Sequence, residues 1–374
     1  MDTAALIVLI FESLLFLALL TAIQYPLRKG EHRVIRTAVF ILKLFMVPMA
    51  ALLWMSIPTP IPYVHSTLMC ALYIAMIADV LASIIEYVVR RVRTLDGEDS
   101  GERHIFDYRI GAPMALLLCI AVLASGVANA ENIVVDEHEW QAEGLEQSHT
   151  FAFASDLHSG DSLTMGELRD FCRQVNESKA EFLILGGDTT DELTSYDDMI
   201  ETFEILSTVK IPVYYVYGNH DRQPSADYVG GRTYTDEQLR DAIESAGITI
   251  LSDEFVKVAD DLVLLGREDL SIDTRKDWKD LENPYEGVTL IVADHQPYDK
   301  EQLAVEESAL QVSGHTHAGQ AWPLKFIYGV LGYDALGEYE YPHTLLYVSP
   351  GVGGWSPSFR SQGHSAWELI TLNP

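Results

Sequence analysis

The chain has 374 residues, 48% of them hydrophobic, with 25 Lys+Arg against 55 Asp+Glu and a formal net charge of −30. That length accommodates two domains, or one domain and a membrane part, and the hydrophobic content excludes a disordered chain. The acidic balance excludes a nucleic-acid grip, because phosphate backbones are held by clustered Lys and Arg. The charge is unevenly placed: residues 1–130 carry 10 basic and 10 acidic side chains, residues 131–374 carry 15 and 45. Cys70, Cys119 and Cys172 have no metal spacing and no disulfide framework follows from them.

Apolar stretches at about 4–24, 34–56, 62–88 and 110–130 predict four transmembrane helices, so 1–130 reads as a four-span helical region. Each is about long enough to cross a ~30 Å hydrocarbon core at ~1.5 Å per residue. Runs such as Ala4–Ile10 and Leu14–Ile23 are apolar on all faces, unlike the one-sided stripe of a surface helix. Arg28, Lys29, Arg33 and Arg36 lie between the first and second spans, and Arg90, Arg91, Arg93, Arg103 and Arg109 between the third and fourth; the 57–61 connection and 131–150 contain no Lys or Arg. Basic loops face the cytoplasm, which places both chain ends and the following domain on the extracytoplasmic side of a multi-pass cell-membrane protein.

The leading Met1-Asp2-Thr3 has no positive charge, so the first span is a poor secretory signal. Ala128-Asn129-Ala130 has the small-x-small form of a signal-peptidase site, although an ordinary span end is the default reading. Glu12, Lys43 and Asp79 fall inside the spans, about 12, 20 and 25 Å below the outer surface at ~1.5 Å per residue. An unpaired charge there is costly. The default is an ion pair of Lys43 with Glu12 or Asp79 that locks the bundle; the alternative is a polar cavity for a lipid-linked substrate.

After a linker over 131–149, short β-rich runs alternate with helical ones over 150–374. Strands are predicted at 150–155, 182–185, 213–217, 262–265, 289–292, 310–313, 345–348 and 367–371, and helices at about 163–178, 197–209 and 236–246. Asp236 and Glu237 favour a helix start and Gly247 a stop. The pattern is that of a layered α/β domain.

Polar clusters follow the strand ends in series: Asp156-Leu157-His158, Gly186-Gly187-Asp188, Gly218-Asn219-His220-Asp221, Asp294-His295 and Gly314-His315-Thr316-His317. Singly, Asp156 reads as a turn or cap residue and Asn219 as a turn residue. Together they converge where open α/β folds place their sites. Imidazole, carboxylate and one amide oxygen, without thiolate, suit Mn, Fe, Zn or similar divalent ions. In Asp156-x-His158 and His315-x-His317, residues two apart on an extended segment point the same way. Gly187, Gly218 and Gly314 permit close backbone approach.

These five motifs, in order over about 150–320, resemble the calcineurin-like metallophosphoesterases, and the tail Tyr347-Val-Ser-Pro-Gly351-Val-Gly353-Gly354, with Arg360 beyond it, is similar to a membrane-associated bacterial branch of that family. The first 130 residues lie outside the resemblance. It implies a four-layer α/β/β/α sandwich and two divalent metal ions. One would be held by Asp156, His158, Asp188 and His317, the other by Asp188, Asn219, His295 and His315, with Asp188 bridging. His220 is implied to contact phosphate and protonate the leaving group, with Asp221 orienting its ring. The implied reaction is in-line attack of a metal-activated hydroxide on a phosphomonoester, phosphodiester or pyrophosphate.

Arg360 reads either as a phosphate clamp or as a surface residue. His138, His149, His343 and His364 match no motif. The segment 322–331, with Phe326, Ile327, Tyr328, Val330 and Leu331, reads by default as core, or as a lid or patch entering the outer leaflet. Anchoring biases the substrate toward a lipid-linked or envelope phosphate ester. Two other readings stay open: a non-catalytic, metal-stabilised membrane scaffold, and a phosphodiesterase for soluble nucleotides. Oligomeric state is not legible.

Overall fold

The computed structural model describes residues 3–29, 33–56, 62–95, 111–222, 232–317 and 320–374. Contacts divide the chain into a helical unit, up to Ala128 and including Trp322–Leu324, and a second unit formed by Asn129–Ala321 and Lys325–Pro374.

The helical unit contains α1 (Thr3–Lys29), α2 (Arg33–Ser56), α3 (Pro62–Leu95) and α4 (Gly111–Glu131), at the positions of the four predicted spans. Two apolar stretches, His65–Val89 and Pro113–Glu131, are long enough to cross a membrane; those of α1 and α2, Leu6–Ala22 and Ala38–Trp54, are shorter. Four full spans are therefore more than the described helices establish. Arg103, Arg109 and the 57–61 connection, on which the orientation expectation partly rests, lie outside the described residues.

Helix α3 packs against both α1 and α2. It presents Ala71, Ala75, Ala78 and Ala82, all buried, and such small side chains let helix backbones approach closely. Lys43 Nζ pairs with Asp79 Oδ2 at 2.7 Å and donates to Ser83 Oγ at 3.0 Å. Of the two partners allowed by the sequence, Asp79 is thus the one engaged.

The second unit is built on two six-stranded sheets. The first contains β1 (Ile133–Gln141), β2 (His149–Ala154), β3 (Leu183–Leu185), β4 (Val213–Tyr215), β5 (Thr249–Ile250) and β12 (Ser365–Asn373), in the order β1-β12-β2-β3-β4-β5. The second contains β6 (Glu254–Ala259), β7 (Leu262–Gly266), β8 (Thr289–Ala293), β9 (Leu310–Ser313), β10 (Gly337–Glu340) and β11 (Leu345–Val348), in the order β10-β11-β9-β8-β7-β6. Strands β2 to β5 run parallel, as do β7, β8, β9 and β11. All eight predicted strands are present. The predicted linker instead contributes β1, which pairs parallel with β12.

Phe151, Phe153, Ile184, Leu264, Ile291, Val312 and Ile370 fill the space between the sheets. Continuous apolar runs such as Leu183–Leu185 are buried on both faces, as strands with a covered sheet on each side require. The outer face of the first sheet is covered by α5 (Met165–Glu177), α6 (Tyr196–Leu206) and α7 (Asp236–Ser245), through Leu168, Phe171, Phe203, Leu239 and Ile243. Each helix begins at a hydroxyl N-cap, Thr164, Ser195 or Thr235. The outer face of the second sheet is covered more thinly, by Trp278 of a 3-10 turn and by Leu303 of α8 (Lys300–Leu303). The expected helical fourth layer is thus only partly helical. Finally, α9 (Leu324–Leu331) buries Leu324, half-buries Ile327 and Tyr328, and exposes Phe326, Val330 and Leu331, contrary to the default reading of this segment as core.

Candidate metal centre

Parallel strands deliver their following loops to one end of their sheet; three of the motifs follow β2, β3 and β4 of the first sheet and two follow β8 and β9 of the second. Asp156, His158, Asp188 and His317 place one ligand atom each within 4.8 Å of one another, and so do Asp188, His295 and His315. Asp188 belongs to both groups. Buried atoms with no hydrogen-bond partner among the described residues include His158 Nε2, Asp188 Oδ2, Asn219 Oδ1, His295 Nε2, His315 Nδ1 and His317 Nδ1. Six such atoms crowd one place, His295 Nε2 and Asp188 Oδ2 facing each other at 3.0 Å, and a bound cation is what would satisfy them together.

The tautomers fit this reading. His295 Nδ1 lies 2.8 Å from the Gly186 carbonyl oxygen, so it donates there and leaves Nε2 with its lone pair. His158 Nδ1 likewise lies 3.0 Å from Asp191 Oδ2, freeing its Nε2. Asp191 is held in turn by the Leu193 and Thr194 amides at 2.8 and 3.0 Å. Burial pushes His315 down to about 3 and His317 well below the ordinary imidazole value, so both are neutral and able to ligate. Burial alone would lower the pKa of His158, but the Asp191 hydrogen bond and charge outweigh it and lift it to about 9, so a cation ligated at Nε2 would displace a proton there.

The backbone departs from the extended arrangement suggested by the two-residue spacing. Asp156, His158, Asp188, His315 and His317 have φ of 56°, 44°, 52°, 71° and 42°. Their convergence therefore comes from left-handed turns rather than from strand alternation. Close approach is decisive at Gly218, where a Cβ would collide with the Asp188 carboxylate, and at Gly314, where it would collide with Asp156.

Three side chains take places the sequence did not show. His220 Nδ1 lies 2.8 Å from Glu192 Oε2, so Glu192 rather than Asp221 holds that ring. Asp221 instead accepts the amides of Asp188, Gly218 and Thr190 at 2.9, 2.8 and 3.0 Å and thereby ties the loops together. Asp191 and Glu192 stand three and four residues after Asp188, a signal that was present in the sequence but has no strand or period to mark it. Trp355 sits beside the site, its ring 5.0 Å from His220 and 6.3 Å from His158.

Arg360 is 1% exposed, which excludes a surface residue. It donates to the carbonyls of Pro350, Gly351 and Gly353 and so fixes the tail loop, whose Gly353 amide donates to the Asp156 carbonyl at 2.9 Å. Among the other histidines, His149 bridges Glu181 and Asp261, and His364 lies 2.9 Å from Asp136.

Two ligand groups of imidazole and carboxylate sharing one carboxylate are the arrangement that two-cation hydrolytic sites require. Residues 149–319 match the family model of the calcineurin-like phosphoesterases. It is 28% identical over 282 residues to a zebrafish protein named "Transmembrane protein with metallophosphoesterase domain", covering 69% of this chain and 62% of that one. An uncharacterized metallophosphoesterase of Helicobacter pylori is 27% identical over 240 residues, covering 62% and 61%. Phosphodiesterase YaeI of Escherichia coli is 28% identical over 219 residues, covering 54% and 74%. The chain thus spans less than two thirds of the length of the first two relatives.

Proposed function

We propose that this chain is a membrane-anchored, two-metal phosphoesterase, with 1–130 as a four-span anchor and 150–374 as an extracytoplasmic catalytic domain. The observation that carries the catalytic reading is Asp188, whose carboxylate belongs to both ligand groups. Asp156, His158, Asp188 and His317 would hold one divalent ion, and Asp188, Asn219, His295 and His315 the second; Mn, Fe and Zn suit this donor set. Such ions, when bound, activate water and offset charge on the phosphoryl oxygens. His220, whose ring Glu192 holds, would give a proton to the departing oxygen. The indole of Trp355 walls the same side. The relatives' names support both parts, one being a transmembrane protein and one a phosphodiesterase. Anchoring favours a lipid-linked or envelope phosphate ester over a soluble one.

The test is hydrolysis of bis-p-nitrophenyl phosphate by purified, metal-stripped full-length protein with Mn, Fe, Zn, Mg or no metal added, alongside Asp188→Asn. Metal-restored turnover that the variant lacks is expected. Two bound ions per chain without turnover on any metal would overturn the catalytic reading.

A further inference from the structure

We propose that α9 is an interfacial helix that lies in a lipid surface beside the metal centre, so that the phosphoester is taken from an amphiphile seated in the bilayer. The substrate half of this rests on the phosphoesterase reading; the lipid contact does not.

Helix α9 exposes what a soluble domain buries: Phe326 is 63% accessible, Val330 88% and Leu331 63%, with Trp322 and Tyr333 at 48% and 46% on either side. A helix that shows apolar side chains between flanking Trp and Tyr matches the headgroup–acyl boundary, where amphipathic rings settle. Charge favours the same stretch. Residues 308–333 contain no Asp or Glu and a single cation, Lys325, in a region whose other parts hold all 45 acids. Residues 341–367 are also free of Asp and Glu, with Arg360 their one cation, so these two stretches are the parts of the region that anionic lipid would not repel.

From the helix a run of ring contacts leads to the centre: Tyr328 to Tyr333 at 6.4 Å, Tyr333 to Tyr298 at 5.4 Å, and Tyr298 to the ligand-group residue His315 at 5.2 Å. An acyl chain lying along α9 would place its headgroup at the end of that aromatic track.

The cysteines at 70, 119 and 172 are all buried, so a new surface cysteine can be labelled selectively. Full-length Val330→Cys, and Glu237→Cys on α7 as the reference, are labelled with bimane and reconstituted in vesicles of phosphatidylcholine and phosphatidylglycerol. The expected result is quenching of the 330 label by brominated phospholipid with weak quenching by iodide, and the reverse at 237. A 330 label that iodide reaches as freely as the 237 label overturns the proposal. So does one shielded from both quenchers, which would mean that protein or a second copy covers the helix.

Phe326→Ser/Leu331→Ser is expected to slow hydrolysis of the p-nitrophenyl ester of phosphatidic acid in vesicles by about tenfold, while bis-p-nitrophenyl phosphate turnover stays unchanged. Equal loss on both overturns the substrate half. A wild-type protein inactive on both esters would strike the phosphoesterase reading and leave the quenching result standing.

Discussion

Asp221→Ala and Glu192→Gln should separate the integrity of the loops from the orientation of His220. Asp221 Oδ2 accepts the Asp188 and Gly218 amides and Oδ1 the Thr190 amide, all buried. Truncation deprives three backbone amides of a charged acceptor, each costing ~1–3 kcal/mol, and with relaxation we expect about 3–5 kcal/mol in total. At ~2–4 °C per kcal/mol for a domain of this size, the thermal midpoint falls by roughly 10 °C. Glu192 is different, for its Oε2 faces the His220 ring rather than a set of amides. Positioned proton transfer contributes ~10²–10⁴-fold, and losing the partner that aims the ring should remove about tenfold of it in Glu192→Gln and about 10²-fold in Glu192→Ala. The assay is kcat and KM on esters of p-nitrophenol and of a simple alcohol, together with thermal unfolding of each variant. The loss in Glu192→Gln should fall on kcat, and more heavily on the alkyl ester, whose departing oxygen needs the proton. The reasoning is refuted if Asp221→Ala lowers kcat at an unchanged midpoint while Glu192→Gln is silent.

Burial alone would lower the pKa of His149, but hydrogen bonds and charges from Glu181 and Asp261 outweigh it and raise it. The stabilisation is therefore complete below the ordinary histidine value of ~6.5 and is lost as pH rises through the raised one. The midpoint difference between wild type and His149→Gln should shrink at alkaline pH; a difference that widens there contradicts the assignment. Chelation should lower the thermal midpoint of the wild type, since ions that bind only the folded state stabilise it by mass action. In Asp188→Asn that drop should be much smaller, which differential scanning fluorimetry reads directly. Lys43→Met or Asp79→Leu singly strands a buried charge and should cost about 3–5 kcal/mol, whereas the double substitution should be close to neutral. Detergent unfolding of the four proteins tests this, and additive losses would mean that the 2.7 Å pair is not the stabilising contact.

Legibility in the sequence followed the range over which each signal acts. Strands buried on both faces announce themselves as runs such as Leu262–Leu265, so the alternating α/β order could be read directly. Strand β1 could not: its sequence Ile-Val-Val-Asp-Glu-His-Glu-Trp-Gln is half acidic and polar, and its hydrogen-bonding partner, β12, begins at Ser365. Metal-ligating residue types were legible because five short motifs repeat one chemistry at successive strand ends. The residues that aim them were not, because Asp191 and Glu192 differ from surface acids only in being 3% and 4% exposed. Helix α9 was ambiguous for the opposite reason, since apolar composition identifies a helix that avoids water without saying whether protein or lipid covers it.

The site's backbone adds what composition could not. Of six non-glycine residues with positive φ among those described, five belong to the ligand groups, the sixth being Asp253. A left-handed residue costs ~1 kcal/mol or more, so these five together hold roughly 5 kcal/mol of strain. Such strain persists only where surrounding contacts over-determine it. Here the Asp156 amide donates to the Gly187 carbonyl at 2.9 Å and the His158 amide to the Asp188 carbonyl at 3.0 Å, so the loop carrying Asp156 and His158 is clamped by the backbone of the loop carrying Asp188. Asp188 is therefore shared twice, as a carboxylate between two ligand groups and as a carbonyl that fixes the turn carrying His158. Asp188→Asn keeps the second role and alters the first, which is why it isolates ligand chemistry from loop geometry better than removal of any single histidine.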